Sequence, residues 1–411
     1  MVDFSIVRQC CHLGLRLARL FRVGFAALIV GMLASGHADA AKNTSAKQSK
    51  AKPQQELVFS PNPLLLMDVQ TGKVLYHRDA NRKWYPASLT KLMTAYVAFR
   101  AIEAGEISEE SALSISPHAL AYPASKMGFK VGTQLTVGNA LKMVVVKSAN
   151  DIAAALAERI AGSETSFVAR MNAEAARLGM RATHFVNANG LYEPAQTSSV
   201  RDMALLTRQI LLEFPHYRPL FQIPAIRHGK RVLRSYNKLL ETFSGTDGMK
   251  TGFVCASGYN IVASASRGGR QLVAVVMGAP NVQVRSETAA FLLSQGFSRT
   301  DMAAGAGVPI GNEALFGQIQ PPLDMRPEVC PRGQVKWVPQ ANYKVSYLVP
   351  RFKVMDPVRV YAGLGKHKKA VVLPSQLAQL PLLAPRVKVA PARSDAKGKS
   401  MRLARLPLPK P

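Results

Sequence analysis

The sequence predicts an α+β fold in which helices flank an antiparallel sheet. Two strand–turn–strand patterns are present, one at residues 63–80 and one around Arg267–Arg270, each joined by a short glycine-containing turn. Between them, apolar residues recur at helical spacing in several segments. Helices interleaved with antiparallel hairpins favour α+β over a doubly wound parallel sheet. The hydrophobic content of 48% is sufficient for a sizeable core.

The first half of this pattern consists of one hairpin followed by helices. The hairpin PLLLMDVQTGKVLYHRDA turns at Thr71–Gly72. A helix is predicted from Ser88 to Ala104, with Gly105 as its stop. Thr136 is placed to cap a second helix through NALKMVVV, and a break at 147–150 separates it from a third, DIAAALAERIAG. A polar cap opens a fourth helix in SETSFVARMNAEAARLGM.

The second half returns to strands. TGFVCASGYNIVASAS, the turn RGGR and QLVAVVMGA predict a hairpin, and VRSETAAFLLSQGF predicts a closing helix. Short strand-like runs with frequent proline follow, in VKWVPQ, YKVSYLV and AVVLP. The predicted organisation is a signal peptide (1–40), a disordered basic leader (41–56), a main α+β domain (57–305), a small β-rich C-terminal module (306–376) and a disordered basic, proline-rich tail (377–411).

The N-terminus has the pattern of a secretory signal peptide. Arginines at 8, 16, 19 and 22 precede the uncharged 13-residue run VGFAALIVGMLAS, and Ala38-Asp39-Ala40 follows. The apolar run is short for a bilayer span, so we expect export and cleavage before Ala41, with an uncleaved anchor as the alternative. The predicted location is the periplasm or cell envelope.

The charge balance narrows the class of partner. The chain carries a net charge of +28, and removing the four arginines and two aspartates of residues 1–40 lowers it to +26. Such a protein is attracted to polyanions, but an exported one is not expected to bind nucleic acid. Anionic envelope polymers or a membrane surface are the better candidates as partners.

Two cysteines lie outside the signal segment, Cys255 and Cys330. They are able to form one disulfide, and the sequence leaves their pairing open.

The segment YPASLTKLMTAY contains the first candidate site. Ser88 and Lys91 are three residues apart at the predicted helix start, which puts both side chains on one face. Nucleophilic serine chemistry needs an exposed hydroxyl and a nearby base, and a lysine made neutral by burial can serve as that base. The spacing alone is a weak signal, because Ser49–Lys52 and Ser394–Lys397 repeat it in basic tails. Ser88 could equally be an ordinary helix cap.

Two later motifs strengthen the catalytic interpretation. KSAND places Ser148 and Asn150 at the break between two helices. DGMKTGF places Lys250, Thr251 and Gly252 at the start of a strand, where a cation and a hydroxyl suit a carboxylate and a glycine permits close backbone approach. An exposed edge-strand lysine is the alternative for Lys250.

In that order, the three motifs resemble the active-site set of the penicillin-recognising serine enzymes. The segments PASLTKLMTAY, VKSANDIAAALAE, MNAEAARLGMRATHF, NANGL and GTDGMKTG, with SGYNIVASA, resemble more closely the low-mass penicillin-binding proteins that are serine D-alanyl-D-alanine carboxypeptidases. The resemblance covers roughly residues 57–300. It implies a penicillin-binding/β-lactamase-like domain without a cofactor, which acts on peptidoglycan stem peptides and is acylated by β-lactams.

The resemblance also implies a role for each matching residue. Ser88 attacks the carbonyl of the penultimate D-alanine, Lys91 is the general base, and Ser148 and Asn150 shuttle protons and hold the substrate amide. Lys250 and Thr251 bind the terminal carboxylate, and the backbone N–H groups of Ser88 and Phe253 form the oxyanion hole. Two positions depart from the family. Phe253 stands where several relatives have a polar residue, and Ala149 separates Ser148 from Asn150 where many have glycine.

Alternatives remain within and outside the family. A D,D-endopeptidase has the same motifs, and a catalytically silent wall-binding protein would rely on the basic tails. A class A β-lactamase fits less well, because the chain has Ser-Ala-Asn instead of Ser-Asp-Asn and lacks a Glu-x-x-Leu-Asn segment. His118, His184, His216 and His228 show no ligand spacing, so no metal site is expected.

Overall fold

The computed structural model describes residue 60 and residues 62–298, 307–336 and 345–364. The predicted signal peptide, the basic leader and the proline-rich tail lie outside these residues, as do parts of the predicted C-terminal module. The predicted domain boundaries therefore stay predictions. Within the described ranges, no helix is both long enough and apolar enough to cross a bilayer.

The centre of the fold is an antiparallel sheet, as the sequence predicts. The strands in chain order are β1 (Leu64–Asp68), β2 (Lys73–Arg78), β3 (Ala112–Ser114), β4 (Gln134–Thr136), β5 (Ala225–His228), β6 (Arg231–Arg234), β7 (Thr246–Val254), β8 (Gly258–Arg267), β9 (Arg270–Ala279), β10 (Val308–Pro309) and β11 (Val358–Arg359). Six of them form the main sheet in the order β10-β2-β1-β9-β8-β7. Two small sheets, β3-β4 and β11-β5-β6, complete the described strands. Strand β7 therefore lies at one edge of the main sheet.

Helices cover both faces of the main sheet. In chain order they are α1 (Lys91–Glu103), α2 (Pro117–Ala121), α3 (Val137–Lys142), α4 (Asn150–Ala161), α5 (Glu164–Arg177), α6 (Val200–Glu213), α7 (Arg218–Phe221), α8 (Leu239–Thr242), α9 (Val282–Ser298) and α10 (Arg326–Val329). Helix α9 packs on one face, together with alternate residues of β1 and β9, and the larger core with α1, α4 and α6 lies on the other. Because both faces are covered, the central strands β1 and β9 are mainly apolar and do not alternate.

Most of the helix caps that the sequence predicts are present in the structure. Thr136 accepts a hydrogen bond from the Asn139 N–H, and Ser163 accepts one from the Ser166 N–H, so both are side-chain caps. Ser88 is different. It lies inside a 3-10 turn, Ala87–Thr90, that precedes α1, and no side-chain capping bond is present there. The helix-cap interpretation of Ser88 is therefore wrong, and its hydroxyl is left for another role.

The described residues after 306 pack against the main domain. Strand β10 pairs with β2, and β11 runs parallel to β5. Val345–Val349, where the sequence predicts a strand, is irregular because its backbone bonds to helical partners: Tyr347 N donates to the Glu287 carboxylate and Val349 N to the Thr242 carbonyl. Cys255 and Cys330 form a disulfide, which answers the pairing question that the sequence left open.

Candidate active site

The first part of the site is the pair Ser88 and Lys91. The 3-10 turn places Ser88 one turn ahead of Lys91, whose Nζ lies 3.1 Å from Ser88 Oγ. Lys91 is only 1% exposed, and its Nζ also lies 2.7 Å from Asn150 Oδ1 and 2.5 Å from the Asn189 carbonyl oxygen. Ser88 itself is half-buried. The structure thus brings together the nucleophile and base that the sequence predicts.

The environment of Lys91 favours its neutral form. Burial lowers the pKa of Lys91 well below its ordinary value, and the positive charge of Lys250 lowers it further, whereas Asp151 acts in the opposite direction. A neutral amine has a lone pair that can accept a proton, and Lys91 Nζ lies 3.1 Å from Ser88 Oγ. Lys91 can therefore act as a general base.

A helix break places Ser148 and Asn150 beside this pair. The chain runs through a π-helical turn, Met143–Lys147, and then adopts left-handed geometry at Ser148, where φ is 60°. Asn150 is fixed at the start of α4, because its N–H donates to the Ser125 carbonyl at 2.7 Å and its Nδ2 donates to the Pro123 carbonyl at 3.0 Å. Its Oδ1 consequently faces Lys91, and Ser148 Oγ is left for a partner on the sheet.

That partner is Lys250, on the edge strand β7. Lys250 Nζ donates to Ser148 Oγ and to the Thr251 carbonyl, both at 2.9 Å. Gly252 brings β7 close to the nucleophile, since a Cβ built on it would lie 2.9 Å from the Pro86 carbonyl oxygen and 3.0 Å from Ser88 N. Only glycine accommodates this approach without displacing the backbone of the 3-10 turn.

Arg285 is a functional candidate that the sequence reasoning missed. It is 3% exposed on α9, and its charge, after burial, is the second cause that lowers the pKa of Lys250 to about 7. Its guanidinium donates to the Tyr236 carbonyl at 3.2 Å, but its buried Nε has no partner among the described residues. Burial also lowers the pKa of Arg285 itself, to about 10. Two buried cations that repel each other favour an anion. The sequence signal for Arg285 was an arginine inside the apolar helix VRSETAAFLLSQGF.

Two carboxylates hold the surroundings in place. Asp151 accepts hydrogen bonds from the N–H groups of Met127 and Gly128, which fixes the loop that carries Ser125. Asp247, three residues before Lys250 in the sequence, is buried. Its carboxylate accepts hydrogen bonds from the side chains of Arg218, Ser264, Ser266 and Gln271. The sequence analysis did not single out Asp151. No group of three metal-ligating side chains occurs in the part of the chain that the structure describes.

A serine hydroxyl next to a buried lysine, with a cationic pocket on the adjoining strand, is the arrangement of a serine hydrolase that uses a lysine base. The sequence matches the family Peptidase_S11, D-alanyl-D-alanine carboxypeptidase, over residues 48–281. The chain belongs to this family, and it is a serine peptidase.

Individual relatives agree with the family match. D-alanyl-D-alanine carboxypeptidase DacC of Escherichia coli K12 is 35% identical over 313 residues, which are 72% of this chain and 76% of the relative. DacA of the same strain is 35% identical over 315 residues, covering 73% and 77%. Among solved structures, penicillin binding protein 6B from Escherichia coli has a TM-score of 0.56 and 34% identity, covering 61% of this chain and 80% of that one. Penicillin-Binding Protein D2 from Listeria monocytogenes, in the cefotaxime-bound form, has a TM-score of 0.54 and 30% identity, covering 60% and 100%.

Proposed function

We propose that the enzyme removes the terminal D-alanine from peptidoglycan pentapeptide stems through an acyl-enzyme on Ser88. The observation that carries this proposal is the contact of 3.1 Å between Lys91 Nζ and Ser88 Oγ, made by a lysine whose pKa is lowered by burial. Lys250, which contacts Ser148 and is influenced by the charge of Arg285, suits the free carboxylate at the end of such a peptide.

The proposed reaction combines these contacts with the residue roles that the family resemblance implies. Lys91 Nζ takes the proton of Ser88 Oγ as the oxygen attacks the carbonyl of the penultimate D-alanine, and the N–H groups of Ser88 and Phe253 stabilise the oxyanion. The C–N bond then breaks, and the proton returns to the departing amine through Lys91 and Ser148. A water molecule, deprotonated by the same lysine, hydrolyses the ester and regenerates Ser88. Asn150 orients both Lys91 and the substrate amide.

The test of the function is a product analysis. The mature enzyme is incubated with purified muropeptides, and the products are separated and weighed by mass spectrometry. Monomeric pentapeptides that lose one D-alanine support the carboxypeptidase. Cross-linked dimers that split while monomers stay intact would support the D,D-endopeptidase instead, and no change in either would contradict both.

β-Lactams should label the same serine, since a relative of this chain has been solved in a cefotaxime-bound form. We infer a stable penicilloyl adduct on the Ser88 peptide. Rapid turnover of free penicillin, with no adduct after digestion, would point to a β-lactamase.

The two lysines of the site, Lys91 and Lys250, predict a bell-shaped pH profile for kcat/KM. Lys91 must be neutral to accept a proton, so activity is lost at low pH, where it is protonated. Lys250 must be charged to bind a carboxylate, and because its pKa is lowered to about 7 in the free enzyme, activity falls as the pH rises through about 7. In Arg285→Gln the repulsion on Lys250 is removed, so we expect the alkaline limb to move to higher pH. The measurement is D-alanine release across pH 5 to 10.

The control for this profile is Arg170→Gln, which changes an exposed arginine paired only with Glu106 among the described residues. This variant should leave the acidic and alkaline limbs of the pH profile unchanged. An alkaline limb that stays unchanged in Arg285→Gln, with the protein still folded by circular dichroism, would contradict the coupling between Arg285 and Lys250.

We further propose that the protein is exported to the periplasm after cleavage before Ala41 and associates electrostatically with anionic envelope polymers or a membrane surface. Two observations support this proposal: the signal-peptide pattern, and the net charge of +28, which is +26 without residues 1–40. Exposed charge interactions are screened by salt, so co-sedimentation with purified wall material or anionic vesicles should decrease as NaCl rises from 50 to 500 mM. Sedimentation that does not respond to salt would contradict this association.

A further inference from the structure

The direction of a bound peptide along β7 follows from the proposed function, on which this inference rests. The terminal carboxylate lies at Lys250 and the scissile carbonyl at Ser88, whose N atom lies next to Gly252. The acyl part of the substrate must therefore extend away from Lys250, past Gly252 and toward Cys255. An extended chain advances about 3.3 Å per residue, so the residues before the D-alanines reach the end of β7.

The segment 307–336 lies outside the matched family region, and its part from Met325 to Cys330 lies at this end of β7. It is joined there covalently by the Cys255–Cys330 disulfide. It is also joined by a hydrogen bond of 3.1 Å from Met325 N to the Ala256 carbonyl, and Met325 is buried. These two attachments fix the position of the intervening side chains relative to the active-site strand.

The segment presents Arg326 to the aromatic pair formed by Tyr192 and Tyr85. The Arg326 guanidinium lies over the Tyr192 ring, 4.3 Å from its centroid, and the Tyr192 ring packs edge-on against Tyr85 at 5.1 Å. Tyr85 precedes Ser88 by three residues. Asp324 Oδ2 pairs with the guanidinium at 2.6 Å from Nη1, while the side chain of Arg326 stays 45% exposed.

This arrangement suits a carboxylate. A guanidinium held in a fixed orientation presents a planar set of donors that matches a carboxylate, and stacking on tyrosine reduces the entropy lost on binding. The aromatic pair offers an apolar surface for the methylene groups that carry such a carboxylate.

We propose that Tyr85, Tyr192 and Arg326 form an acyl-side subsite, which binds a carboxylate on the residue that precedes the two D-alanines. The disulfide and the Met325 contact keep this subsite aligned with β7. The subsite gives the enzyme a preference among stem peptides that share the same D-Ala-D-Ala end.

The test compares two substrates that differ in one group. Both are acetyl-X-D-Ala-D-Ala, where X is L-2-aminopimelate, whose side chain ends in a carboxylate, or its side-chain amide. For the wild type we expect kcat/KM to be about five- to thirtyfold higher for the carboxylate peptide. In Arg326→Gln this preference should fall to near one, while the amide peptide and the rate of penicillin acylation are unchanged.

Two further variants separate binding from structure. Arg332→Gln changes an exposed arginine of the same segment, next to the disulfide, and should retain the preference. Cys330→Ser should reduce the preference without removing activity on the amide peptide, because Arg326 then loses its covalent alignment. An equal decrease of kcat/KM for the carboxylate and amide peptides in Arg326→Gln would overturn the proposed subsite.

The outcomes distinguish this inference from the proposed function. Hydrolysis of both peptides by the wild type at equal rates overturns the subsite and leaves the carboxypeptidase standing. Release of no D-alanine from either peptide overturns the proposed function, and the subsite falls with it.

Discussion

Ser88→Ala is expected to abolish both D-alanine release and penicillin labelling. The substitution removes the only atom that can form the acyl-enzyme in the proposed mechanism, and Lys91 is then left without a proton to accept. Removal of a serine nucleophile typically costs a factor of at least about 10³ in kcat. The measurements are D-alanine release and the mass of the Ser88 peptide after incubation with penicillin.

The sequence itself supplies the matched control for this variant. Ser394 stands in the same Ser-x-x-Lys pattern, with Lys397, in the basic tail. Ser394→Ala should keep full activity and labelling. Retention of an adduct in Ser88→Ala, or its loss in Ser394→Ala, would show that the nucleophile has been assigned to the wrong serine.

Gly190→Ala is expected to have the second largest effect, although Gly190 carries no functional group. A Cβ built on it would lie 1.9 Å from the Ala87 carbonyl oxygen and 3.0 Å from Ser88 N, and its φ is +84°. The turn that presents Ser88 must move to relieve this overlap. We expect a loss of about 3 kcal/mol or more in the free energy of unfolding. We also expect penicillin acylation at least about tenfold slower, since small displacements of reacting groups are costly.

Gly179→Ala separates overlap from backbone strain. Gly179 has a similar φ of +71°, but nothing lies within 4 Å of its built Cβ. This variant should lose only about 1 to 2 kcal/mol and acylate at the normal rate. Urea unfolding and stopped-flow penicillin binding measure the two effects. Equal losses in both variants would refute the importance of the contact with Ala87.

Much of the fold could be predicted because its signals are local. Glycine-containing turns and apolar runs identified the hairpins, and Thr136 and Ser163 marked the helix starts that the structure has. The candidate site residues were identified through short motifs at fixed spacing. In the structure Lys91 bonds to Ser88 and Asn150, and Lys250 bonds to Ser148, two residues before Asn150.

The rest depends on contacts between distant parts of the chain. Arg285 belongs to no motif, and its charge influences Lys250 only because α9 packs on the sheet. The disulfide joins cysteines 75 residues apart, and no local pattern determines that pairing. No local pattern predicts the contact between Arg326 and Tyr192 either, because it joins residues that are far apart in the sequence. Tertiary packing, and not local propensity, sets these positions.

The pairing of β10 with β2 has a consequence for solubility. An unpaired edge strand can recruit strands from other molecules and so promote aggregation. At the β2 end of the main sheet, the neighbouring strand is only two residues long, and Pro309 has no N–H to offer a further strand. At the other end, β7 remains an edge among the described strands and carries Lys250 and Gly252. The sheet thus discourages self-association at one side while keeping the other side available for an extended peptide.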